Sequence, residues 1–226
     1  MHLFSALAVQ RALEEVIPVF ETEHNVEVIA TFEPTAVLES KLRSGEGADA
    51  VIGIRSTLEA LGKDDLLVSQ SVAALVRSGI GVAVPAGASH PNIGDTRGLT
   101  NALTRARAVA YSRKGASGIY FAGLLKKLGI ADEVNARAVI PERGFVAEAL
   151  LDGRADIAIQ QLSELASVTG IETVGPLPDG AQQYLELAVG LSVGGNAAQF
   201  DAFRAYLFSP RVFEAFRRSG LEPVTT

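Results

Sequence analysis

Short apolar runs alternate with amphipathic helical stretches along almost the whole chain, and this alternation does most to limit the fold. HLFSALAV (2–9) reads as a strand. The helix after it carries Leu13, Val16, Ile17 and Phe20 at helical spacing. VEVIATF is a second strand, and TAVLESKLRSG a helix with Leu38 and Leu42 four apart and Gly45 as its stop. ADAVIGI, nearly all apolar, has the pattern of a buried parallel strand. STLEALGK follows as a brief helix with Ser56 at its N-cap.

A second run of the same kind covers about residues 87–180. It contains the expected strands ARAVAYS, NARAVI, ADIAIQ and IETVGPL and the expected helices RGLTNALTR, GIYFAGLLKKLG, ERGFVAEALLDG and QLSELASVTG. Strand-like stretches at 79–86 and 184–193 sit at the joins, and two helices close the chain, the second with Pro210 in its first turn. Repeated βα units imply an α/β fold with parallel sheets. A chain that crosses to a second lobe and returns would give lobe 1 as residues 1–80 plus 190–226 and lobe 2 as 81–189, with a ligand cleft at the hinge.

Composition removes several function classes. Of 226 residues 48% are hydrophobic and 20% charged, which suits a packed core. Cysteine is absent, so there is no disulfide, thiolate metal site or thiol nucleophile. His2, His24 and His90 form no short ligand pair, so no metal or other cofactor is expected. The net charge of −6 argues against a nucleic-acid partner, and no apolar run reaches the roughly 18 residues of a membrane span, so no membrane insertion is expected. MHLFSALAV has no basic leader or cleavage motif, which reads as cytoplasmic as the sequence stands and periplasmic if a leader was removed.

The candidate site residues share one location, the carboxyl end of a strand just before a helix, where open α/β sheets bind ligands. In SRKGASGIYF the helix is expected to start near Ser117, and unpaired amides at Ala116 and Ser117 would face an anion. The plain alternative is that Ser117 caps its own helix. Ser5 and Ala6 end the first strand, and Thr35 is expected to cap the second helix. Arg143 and Gly144 stand at the expected start of the ERGFVAEALLDG helix, where a bound carboxylate or oxyanion would offset a cation's conflict with the helix dipole. Gln160 and Gln161 end a strand and can donate amide hydrogens.

The stretches FSALAVQRALEEVIPVFE, VEVIATFEPTAVLESKLRSGEGADAVIG, AYSRKGASGIYFAGLLKKLGIADEV and GRADIAIQQLSELASVTGIETVGPLP resemble the molybdate-binding periplasmic proteins, a branch of the type 2 solute-binding proteins of ABC transporters. The resemblance implies a two-lobed type 2 periplasmic-binding-protein fold, two βα sandwiches joined by two hinge crossings. It also implies a small anionic ligand, and an ABC permease as partner if the chain is exported. By position the family's first-strand serine falls on Ala8, and its second serine on Thr35. The amide positions fall on Ser117 and Arg143, and the pocket tyrosine on Gln161. One hydroxyl is thus lost and a guanidinium gained, and the planar fork of arginine suits a carboxylate. The ligand is therefore either a molybdate-like oxyanion or a small organic acid. The competing reading is an isomerase or lyase acting on such an acid, with Glu33 or Glu142 as base.

Overall fold

The computed structural model describes residues 1–142 and 144–224. The chain divides into two compact units, Met1–Arg77 with Glu186–Thr226, and Ser78–Leu185. Two strands are shared by the division, β4 (Ala73–Pro85) and β8 (Tyr184–Leu191). No helix among the described residues is long and apolar enough to cross a membrane.

In the first unit β1 (His2–Ser5) lies parallel to both β2 (Ile29–Phe32) and β3 (Ala50–Ile54), in register His2 to Ile29 and Leu3 to Ala50. β8 closes this sheet antiparallel to β3, with Ala50 opposite Leu191. Side chains alternate across a strand, so each strand feeds two cores. Leu3 and Ile52 join Leu13 and Phe20 of α1 (Gln10–His24), Phe200 and Phe203 of α9 (Ala197–Leu207) and Phe216 of α10 (Pro210–Arg218). Phe4 and Val51 point the other way, onto Leu38 of α2 (Thr35–Arg43) and Leu58 and Leu61 of α3 (Arg55–Lys63). Each of these buried side chains contributes about 1.5–3 kcal/mol of transfer free energy.

In the second unit the later part of β4 pairs antiparallel with β6 (Ile157–Gln161), Ile80 opposite Gln161, and with β7 (Ile171–Pro176). The short β5 (Val109–Ala110) runs parallel to β6. One face of this sheet packs Val82, Ile157 and Ile159 against Leu99 and Leu103 of α4 (Thr96–Arg105) and Phe121 and Leu125 of α5 (Ala116–Lys127). The other face is built from small residues, Ala83, Ala110 and Ala158. They meet Ala149 and Leu150 of α7 (Glu148–Leu151) and Leu165 of α8 (Leu162–Leu165), after the five-residue α6 (Ala131–Asn135) earlier in the chain.

Several local expectations change; HLFSALAV is a strand only over His2–Ser5, with a 3-10 turn at Leu7–Val9, and QLSELASVTG is a helix only over Leu162–Leu165. NARAVI is not a strand, and only Val139 bridges to Ala110. The helix expected over ERGFVAEALLDG shrinks to α7, because Gly144 adopts φ +72° and turns the chain. Ser56 does not cap α3, which begins at Arg55 with Ile54 at the N-cap.

Candidate functional site

The start of α5 has the chemistry of an anion-binding end. Gly115 stands at the N-cap with no side-chain cap, so Ser117 is the second helical residue and not the cap. The loop before the helix satisfies itself: Ser112 Oγ accepts the amides of Lys114 at 3.2 Å and Gly115 at 2.9 Å. The first amides of α5, from Ala116 onward, have no intrahelical acceptor and carry the positive end of the helix dipole. Ser117 is only 3% exposed, yet its hydroxyl has no hydrogen-bond partner among the described residues. Gly118 is required here, because a Cβ at that position would lie 1.7 Å from the Ser112 carbonyl oxygen.

α5 and α7 both pack against β6, which ends in Gln160 and Gln161. Both glutamines are buried, as is Glu164. Gln160 Oε1 accepts the amide of Ala147 at 3.3 Å, and the Gln160 side chain favours the ionised form of the Glu164 carboxyl. The Gln161 amide donates to Glu164 Oε2 at 3.3 Å, one half of a capping box. The other half is too loose for a hydrogen bond, so Gln161 Oε1 is aligned with the Glu164 amide but stays buried without a partner. Burial pushes the Glu164 carboxyl up to about 7, against the opposing pull of the Gln161 amide and the Gln160 side chain. Among the described residues Glu164 is the one acidic side chain that is buried.

The first-unit residues are already occupied. Ser5 is fully buried, and its hydroxyl makes a long 3.4 Å contact to the Ala6 carbonyl. The Ala6 amide is bonded to Ile52 O at 2.8 Å, so the amides that open the following turn are those of Leu7 and Ala8. Thr35 does not cap α2; Pro34 does, and Thr35 Oγ1 accepts the amide of Ile54 at 3.2 Å.

In the second unit Ala116 and Ser117 lie together on α5, Gln161 lies on β6, and Gly144 lies in the exposed turn before α7. Arg143 lies outside the described residues. The hydroxyl of Tyr111 donates to Asn135 and that of Tyr120 to the Ala181 carbonyl, so both are committed. Of the two carboxyls expected as bases, Glu142 is exposed and Glu33 half-buried. The acid that the sequence reading overlooked is Glu164, although its spacing of three from Gln161 is the capping-box signature. No group of metal-ligating side chains occurs among the described residues. A cavity of about 590 Å³ in the second unit, bordered by Arg105, Asp156 and Ile157, lies at the amino-terminal ends of β5 and β6, opposite the ends that carry Ser112 and Gln161.

The family model for the bacterial extracellular solute-binding proteins matches residues 1–222. Aconitate isomerase of Pseudomonas sp is 31% identical over 98% of this chain and 87% of that protein. The molybdate-binding protein ModA of Escherichia coli K12 is 25% identical over 96% of this chain and 87% of its own length. In fold, the periplasmic molybdate-binding protein of Azotobacter vinelandii superposes with a TM-score of 0.80 at 16% identity, over 100% of this chain and 99% of that one. A match along essentially its whole length means that the chain belongs to the family of bacterial extracellular solute-binding proteins.

Proposed function

We propose that the protein binds a small organic polycarboxylate, and that the start of α5 supplies its principal anion contacts. The observation that carries this is Ser117, a residue 3% exposed whose hydroxyl makes no hydrogen bond among the described residues and stands beside helix-start amides that have no intrahelical acceptor. An oxyanion at that point would accept from the hydroxyl and from the free amides together. Two features favour a carboxylic acid over molybdate. Ala8 offers no hydroxyl where the molybdate-binding proteins have a serine, and Arg143 adds a guanidinium fork suited to carboxylates. The aconitate isomerase relative is also more similar to this chain than ModA is.

The test is calorimetric titration with molybdate, sulfate, citrate and cis- and trans-aconitate. A tricarboxylate is expected to bind more tightly than molybdate, and a bound ligand at 100 times its Kd adds about 2.7 kcal/mol of stability. Binding of molybdate alone would overturn the carboxylate assignment.

A second reading is favoured by the similarity to aconitate isomerase: the bound acid is isomerised as well as held. Such a reaction takes a proton from one carbon and returns one to another, and it needs a group that titrates near the working pH. Glu164 has that property. Incubation with cis-aconitate followed by proton NMR decides between the two, since a pure binder leaves the spectrum unchanged. Delivery of the ligand to a membrane permease belongs with the binding reading.

A further inference from the structure

We infer that the cavity at the amino-terminal ends of β5 and β6 is a second ligand site, separate from the start of α5, and that it takes an apolar monocarboxylate whose carboxylate pairs with Arg105. The cavity measures about 590 Å³ and lies wholly within the second unit. Small-molecule sites usually span roughly 300–1,000 Å³. Its floor is the edge of the unit's larger core, Val84 of β4 and Ile157 of β6, both buried. One wall is the last part of α4, through the small side chains of Ala102 and Ala106. Leu99 and Leu103 of the same helix fill the core beside it.

Another wall is the loop 86–95, through Ala88 and Pro91, and its own contacts hold it in place. Glu172 of β7 accepts the Gly87 amide at 2.8 Å, and its other carboxylate oxygen lies 2.9 Å from His90 Nε2. A Cβ on Gly98 would lie 2.7 Å from the Asn92 carbonyl oxygen, so the loop rests directly on α4. A wall fixed in this way leaves little to order when a ligand enters.

Arg105 and Asp156 are the charged side chains on the wall among the described residues, and they differ in what they already hold. Asp156 Oδ1 accepts from the Arg107 side chain at 2.8 Å and Oδ2 from the Arg107 amide at 2.7 Å. Arg105 is exposed and makes no hydrogen bond or ion pair among the described residues. A cation at the end of a helix ordinarily serves the last carbonyls. Here Arg137 does so, donating to Ala106 O at 2.8 Å and to the carbonyls of Leu103 and Thr104. The Arg105 guanidinium is left with two parallel donors for a carboxylate. The apolar floor selects an acid with one charged end, because a second carboxylate against Val84 and Ile157 would lose its hydration unpaired. None of this rests on the function proposed above.

The test titrates phenylbutyrate, octanoate and the uncharged control phenylbutanol into isotope-labelled wild type, Arg105→Gln and Ala102→Leu, followed by amide resonances in NMR. Both acids carry the required chemistry, and the tighter one shows whether the body that fits is a ring or a flexible chain. In wild type phenylbutyrate is expected to shift the amides of Ala102, Ala106 and Ile157 and to bind about tenfold more tightly than the alcohol. Arg105→Gln should lower phenylbutyrate affinity about tenfold, to that of the alcohol, and leave the alcohol's own affinity unchanged. Ala102→Leu extends a side chain into the cavity and should abolish binding of both, with a melting curve to show that the variant is folded; if it is not, Arg105→Gln still decides. No shift at millimolar acid, equal affinities for acid and alcohol in wild type, wild-type affinity in Arg105→Gln, or shifts confined to residues 112–117 would each overturn the inference.

Discussion

The two units build the same local motif, a strand end followed by a helix, and they use its polar atoms in opposite ways. In the first unit the Thr35 hydroxyl is taken by the Ile54 amide, the Ala6 amide by Ile52, and the buried Ser5 hydroxyl by the Ala6 carbonyl. In the second, the Ser117 hydroxyl makes no hydrogen bond among the described residues, and Gln161 Oε1 is buried without a partner. The first arrangement serves the fold. The second leaves polar atoms free to meet a ligand. The first unit has an exception, Ser192 Oγ, buried without a partner just after β8, so the proposed capacity to choose a ligand lies mainly, and not wholly, in the second unit.

The largest effect should come from the glycines that allow these packings. Gly118→Ala sets a Cβ 1.7 Å from a backbone oxygen that has no room to yield. It should destabilise the protein by about 3 kcal/mol or more. Gly53→Ala in the first unit meets only side-chain atoms, Leu58 Cδ1 at 2.9 Å and Thr35 Cγ2 at 3.0 Å, and should cost about 1 kcal/mol. Urea melts of both variants check the contrast, and equal losses would remove it.

Next is the buried acid of the second unit. Glu164 has its folded pKa raised from 4.5 to about 7. Below pH 4.5 the carboxyl is protonated in both folded and unfolded chains, and its burial carries no charge penalty. As pH rises toward 7 the unfolded chain ionises first, so stability falls, by about 3 kcal/mol in all, and then levels off. Glu164→Gln should remove that slope, which denaturant melts between pH 4 and 8 would show.

Smaller effects separate the two hydroxyls. Ser117→Ala should weaken anion binding about tenfold and change stability by less than about 0.5 kcal/mol. Thr35→Val should do the reverse, costing about 1 kcal/mol of stability through the lost bond to Ile54 and leaving affinity within about threefold. Melts and titrations on the same two variants give both numbers.

The architecture was legible where burial dictated the pattern. ADAVIGI became β3, buried on both faces, and the stripe Leu13, Val16, Ile17 and Phe20 became the inner face of α1. Features set by hydrogen bonding were harder to read. Thr35 and Ser56 look like caps in sequence, but preceding residues took that place because α2 starts one residue early and α3 two. NARAVI has strand composition, but its neighbour β5 is two residues long and offers little to pair with. The spacing of Gln161 and Glu164 was visible, whereas the burial that moves the carboxyl's pKa depends on the alanine-rich face packed around α8.

The most direct measurement is the affinity of wild type and Ser117→Ala for trans-aconitate and molybdate, titrated side by side in a calorimeter. Wild type should prefer the tricarboxylate, and the substitution should cut that affinity about tenfold with the melting point unchanged. Equal affinities in the two proteins, or a wild type that takes up neither anion, would contradict an anion site at the start of α5.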